Sequence, residues 1–123
     1  MARFTSAVKL IDAATTTVAG TAANVFDVSA RKGMSIQFTA ASNAAVFEIQ
    51  ISDDGTNYVT YNRLVPNLVG TNSQTDAAVA SVSIAPGTSA IYFIKFGDHF
   101  RYIRGSMTAA GTGTFDATLS GID

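Results

Sequence analysis

The stretch "ISDDGTNYVTY", residues 51–61, holds the densest set of side chains able to do chemistry. Asp53 and Asp54 are adjacent carboxylates. Gly55, Thr56 and Asn57 follow, and Tyr58 and Tyr61 stand at the far end. Two chemistries are open to such a set. Oxygen ligands converging from alternate positions can hold calcium, usually with a bidentate Glu further on. Alternatively, Asp-Gly between two apolar runs closes a hairpin. The aspartate then accepts from the turn's own N–H groups, and the glycine takes a positive φ. Adjacent carboxylates diverge in an extended segment, and no further acidic residue occurs before Asp76. The spacing predicts a turn. Asp53 and Asp54 remain ion-ligand candidates, and Tyr58 and Tyr61 remain candidates for stacking on a sugar ring.

Other groups offer less. There is no cysteine, which excludes thiolate catalysis, thiolate metal sites and a disulfide framework. His99 is the one histidine, and zinc needs two or three more ligands at suitable spacing. "GDHFR" therefore reads as a turn. Serines and aspartates are plentiful, but nothing resembles a nucleophile elbow. Arg101 and Arg104, with Tyr102 between them, are able to bind phosphate or stack on a base. In a strand, residues three apart point to opposite faces. The expectation is Arg101 at the rim and an outward Arg104 lying over Tyr102. A net charge of -1 gives no field to steer a polyanion, so no nucleic-acid partner is expected. "GTGT" at 111–114 has no lysine and no following helix, so it reads as a hairpin turn rather than a phosphate loop. These readings together predict a protein that is not an enzyme, with no catalytic residue, no cofactor and no bound metal.

The elements that would position these groups are strands. Hydrophobic residues make up 47% of the 123 residues, enough for a packed core in a single domain over residues 1–123. Met34, Ile36 and Phe38 alternate with polar residues, as do Phe47, Ile49 and Ile51, and Phe115, Ala117 and Leu119. Period two puts one face on a core and the other toward solvent or a partner. Around residues 25–28 and 82–84 the pattern is shorter. "AIYFIKF", residues 90–96, is apolar on both faces, so it is a central strand or one whose outer face meets another subunit. In "FRYIRGSM" the better assignment turns Ile103 and Met107 inward and Tyr102 and Arg104 outward, though the opposite phase is nearly as good. Turn signals at 31–33, 52–57, 85–87, 97–99 and 110–113 separate the runs. No sustained 3.6-residue period occurs, and Thr and Gly weaken the Ala-rich stretch 12–24 as a helix. The predicted fold is all-β, an antiparallel sandwich or jelly roll of about eight strands. Residues 1–20 are expected as an edge strand or an extended arm on a neighbouring copy, and residues 65–76 as a long loop.

Two segments carry a family resemblance. "FEIQISDDGTNYVTY" is similar to the strand-turn-strand of galactose-binding-like and discoidin-like sandwiches, of the type S-x-D-G-x-N-[WY]. Ser52, Asp54, Gly55, Asn57 and Tyr58 fill it. "HFRYIRGSMTAAGTGTFDATLSG" resembles the closing hairpin of small phage virion proteins, through Arg101, Tyr102, Ile103 and Arg104. The resemblance implies a virion part such as a capsid decoration, cement or fibre-base protein. The chain departs from sugar-binding members in having no Trp, with Tyr58 at the matching position.

The function expected is accordingly a non-enzymatic virion structural protein, a homo-oligomer or a protein docked on a major capsid protein. Only 14% of residues are charged, which suits a surface that meets neighbours. Leu64, Val65, Pro66, Leu68 and Val69 are the first contact candidates, and Phe4, Val8, Leu10 and Ile11 the second. The alternative is a carbohydrate-binding module or adhesin-like sandwich, with a glycan as partner. The first 20 residues lack the apolar core of a signal peptide, and no run approaches the roughly 18 apolar residues of a membrane helix. The expectation is synthesis in a host cytoplasm, location in the virion and no membrane partner.

Overall fold

The computed structural model describes residues 7–20, 24–29, 31, 33–66, 78–95 and 97–122. Among the described residues, ten strands run in chain order: β1 (Val8–Ala14), β2 (Phe26–Asp27), β3 (Gly33–Ala41), β4 (Ala45–Ser52), β5 (Val59–Thr60), β6 (Leu64–Pro66), β7 (Val82–Ile84), β8 (Thr88–Ile94), β9 (Tyr102–Ala109) and β10 (Thr114–Ile122). They build two antiparallel sheets. Sheet 1 has the order β1-β10-β3-β8-β6, and sheet 2 the order β2-β9-β4-β5, with β7 also paired to β4. Apart from the β4–β5 hairpin, each step along the chain moves from one sheet to the other. That is jelly-roll-like wiring, and it gives the sandwich its long-range contacts.

Alternation drives this arrangement. Met34, Ile36, Phe38 and Ala40 of β3 and Phe115, Ala117 and Leu119 of β10 face inward from sheet 1. Ala45, Phe47 and Ile49 of β4 and Ile103 and Met107 of β9 meet them from sheet 2, and all are buried. Phe38 and Phe47 join the two layers, with ring centroids 5.0 Å apart and planes tilted by 41°. Gly105 also faces inward on β9. A Cβ there would lie 3.4 Å from Ile11 and 3.5 Å from Leu10, so the missing side chain leaves room for β1 to close over β9.

Several expectations change. The sequence predicts about eight strands; the extra ones are the two-residue β5 and the three-residue β6, too short to show a period, and β6 takes Val65 and Pro66 out of the expected 65–76 loop. The described part of the N-terminal segment is an edge strand on β10. The chain then crosses to sheet 2, where Val18 bridges Met107. Three contact candidates belong to the chain's own core: Leu10 is 1%, Ile11 3% and Leu64 0% exposed. For Leu10 and Ile11 the reason is register. The β1–β10 pairing slips between Lys9 and Ile11, so two successive residues face inward. Val8, Val65 and Pro66 are half-buried. Phe4, Leu68 and Val69 lie outside the described residues. β8 is flanked by β3 and β6, as a central strand should be, yet Ile91 and Phe93 on its outer face are 39% and 42% exposed.

Candidate functional site

The acidic turn joins β4 to β5, and its hub is Ser52, only 5% exposed. The Ser52 hydroxyl accepts from the Gly55 N–H at 2.9 Å and the Asp54 N–H at 3.2 Å, and donates to Asp54 Oδ1 at 2.9 Å. Asp54 Oδ1 also accepts from the Thr56 and Asn57 N–H groups, each at 2.8 Å, while Oδ2 accepts from Asn57 Nδ2 at 2.8 Å. The Asn57 N–H, then the Thr56 N–H, the Asn57 amide and Ser52, hold the Asp54 carboxyl far below the usual range. Gly55 has φ of 76°, and a Cβ there would touch the Tyr102 ring at 3.3 Å, so the turn is laid over Tyr102.

Asp53 points elsewhere. Its Oδ1 accepts from the Arg101 N–H at 3.2 Å, which is shared with the Ser52 carbonyl at 3.2 Å. The two carboxylates thus diverge, one closing its own turn and the other pinning the start of β9. Among the described residues, no group of three or more His, Cys, Asp and Glu is placed to hold a metal ion.

The sign of the acid response follows from Asp54. A carboxyl whose folded pKa is depressed contributes stability above its ordinary value of 3.8, and the contribution is lost as pH falls through the folded value. Asp54→Asn should therefore be less stable than the parent at neutral pH. The difference should narrow as thermal melts are taken down toward about pH 2. A difference independent of pH would contradict the hydrogen-bond assignment.

Beside the turn, the outer face of sheet 2 carries two arginine–tyrosine stacks. The Arg104 guanidinium carbon lies 3.7 Å from the Tyr58 ring centroid, and its Nε donates to Gln50 Oε1 at 2.7 Å. The Gln50 amide in turn packs on Gly20, where any Cβ would collide with it. Arg101 lies over Tyr102 at 5.1 Å and reaches Asp27 at 3.4 Å. Ser29, through its hydroxyl first and its N–H second, lowers the Asp27 pKa. The expected Arg104–Tyr102 stack is thereby corrected. The hairpin sets Tyr58 on the far edge of β4 from β9, and Arg104 reaches it across the outer face beside Gln50, so Tyr102 is left to Arg101.

Tyr61 is also corrected as a sugar-stacking candidate. It is 3% exposed, with its ring 5.9 Å from that of Phe100. Its hydroxyl donates to Asp98 Oδ2 at 2.6 Å and accepts from the Lys95 N–H at 2.9 Å. Asp98 pairs with Arg63 at 3.1 Å. Burial of the phenol, and then the Asp98 hydrogen bond, push its pKa up to about 12. No sequence signal joins Tyr61 to Asp98. His99 is exposed. Tyr58 stays half-buried, with one ring face under Arg104.

On sheet 1, register sets Phe93 beside Val65, and Ile91 shares their outward phase two residues along β8. These three make an apolar strip at the β6 edge. Across β3 the same face continues through Ser35, Gln37 and Thr39.

The fold and these two faces define an antiparallel β-sandwich with its polar turn groups bound to each other. No protein-family model and no curated protein matches the chain. Among solved structures, it is similar to the SPBc2 prophage-derived protein YomS, with a TM-score of 0.74 and 10% identity, covering 100% of this chain and 96% of that one. At that identity the likeness is one of fold.

Proposed function

We propose that the chain is a non-enzymatic structural component of a phage virion, of the decoration, cement or fibre-base kind, that works by self-association or by docking on a capsid lattice. The observation that carries this reading is the outward strip of Val65, Ile91 and Phe93, beside which β3 offers only Ser35, Gln37 and Thr39. Apolar area of this kind contributes roughly 25 cal/mol per Å² when covered, before the costs of association. Two observations support it. The whole chain shares its fold with a prophage-derived protein. The acidic turn, the one dense polar site in the sequence, directs its oxygens at its own backbone. The glycan alternative gains nothing, since Tyr61 is internal and Arg104 covers a face of Tyr58.

Mass spectrometry of particles banded from a lysate of the phage that encodes this chain should find it in fixed ratio to the major capsid protein. With Ile91→Ser and Phe93→Ser combined, the folded chain should stay in the soluble fraction. Particles free of the wild-type chain would overturn the reading.

A further inference from the structure

The outer face of sheet 2 carries two charges without ionic partners. Arg63 and Arg101 each face a carboxylate. Arg104 instead sits on the neutral oxygen of Gln50, and neither of its Nη groups has a partner among the described residues. Glu48, half-exposed on β4, likewise makes no hydrogen bond or ion pair there. Register places them close together. Glu48 is opposite Ser106 and Gln50 opposite Arg104, so Glu48 and Arg104 are diagonal neighbours with outward side chains. Such neighbours lie roughly 7–8 Å apart, near enough to pair, yet the guanidinium is drawn away onto Tyr58.

That guanidinium is already oriented. Tyr58 fixes its plane, Gln50 fixes Nε, and Gly20 backs Gln50. What remains is a fork of Nη donors matched to a planar carboxylate. A fork held before its partner arrives loses less side-chain freedom on binding.

We propose that this face is an isologous contact with a second copy of the chain, in which Arg104 of each copy receives Glu48 of the other. A two-fold axis lying between the faces, passing midway between Glu48 and Arg104, sets both pairs at once. The surrounding residues suit a closed contact. Ser106 and Thr108 are uncharged, and Val46 is 40% exposed. Only β4 and β9 run for eight residues; with the short β2, β5 and β7 beside them, about 4.8 Å spacing and about 3.3 Å per residue give roughly 360 Å² per copy. The total of about 700 Å² lies below the roughly 1,000 Å² of a specific interface, so the pair is weak alone and gains from repetition in an assembly. The proposal rests on the assembly reading above and names the partner for one face.

Sedimentation velocity over a concentration series tests it. The wild type should form dimers that weaken with added salt. Arg104→Glu and Glu48→Arg should each lose the dimer at least tenfold in affinity, since each sets like charges opposite one another. Mixing the two variants should restore a heterodimer, because every pair is then of opposite sign, and this restoration also shows that both are folded. A wild type that stays monomeric, or single variants that dimerise as the wild type does, would overturn the proposal. A monomeric wild type that nonetheless bands with particles would leave the virion reading standing and remove only this contact.

Discussion

Phe47→Ala should destabilise the domain by about 3–5 kcal/mol, read as a lower urea midpoint at unchanged slope. Phe47 is wholly buried, and its ring meets Phe38 across the interlayer space. β4 is held on both edges, by β9 on one side and by β5 and β7 on the other. Strands tied in this way cannot move inward to fill the space left by a phenyl ring, so the cavity persists and its cost adds to the lost transfer energy. A domain of this size has only about 5–15 kcal/mol of net stability, so the loss is a large fraction of the whole. Phe93→Ala is the internal control. It removes the same ring from a strand position that is 42% exposed, and should cost no more than about 0.5–1 kcal/mol. Equal losses at the two positions would mean that Phe47 is not part of a shared core between the sheets.

The contrast between Phe47 and Phe93 also shows what a period of two reveals. Phe47, Ile49, Phe115, Ala117 and Leu119 sit where alternation puts them, because a strand with one wet face must segregate its side chains. The phase of β9 was open by pattern alone, and the inward Ile103, Gly105 and Met107 resolve it. Leu10 and Ile11 were not readable as core, since a register slip breaks the alternation that would have identified them. Leu64 failed for another reason. It begins a three-residue strand, and so short a run has no period to display. At the site, the Ser52–Asp54–Asn57 turn was legible because its hydrogen bonds are local in sequence. The Arg104–Tyr58 and Tyr61–Asp98 pairs were not, because each depends on which strands become neighbours. Local chemistry can be read from residue types and spacing, whereas a stack between distant segments is specified only by the register of the sheet.

Tyr61→Phe tests the largest of those non-local polar contacts. Removing the hydroxyl leaves the Lys95 N–H without its acceptor and deprives Asp98 of a donor, although Arg63 still faces that carboxylate. The ring and its packing on Phe100 are retained, so any loss belongs to the hydrogen bonds. A loss of about 1–2 kcal/mol at neutral pH is expected, at the lower end for an unmet buried group, because Asp98 and Arg63 bring solvent near the hydroxyl. The alkaline response gives a second readout. The phenol ionises near 10.0 when unfolded and at about 12 when folded. A group raised in this way contributes its full stability below the unfolded value, and the contribution fades as pH rises through the folded one. The parent should therefore lose stability between those two values beyond whatever the other tyrosines cause. Tyr61→Phe should lack that component, so the two denaturation curves should converge as the solution becomes alkaline. Parallel curves across that window would show that the hydroxyl is not held between Asp98 and Lys95 in the folded chain.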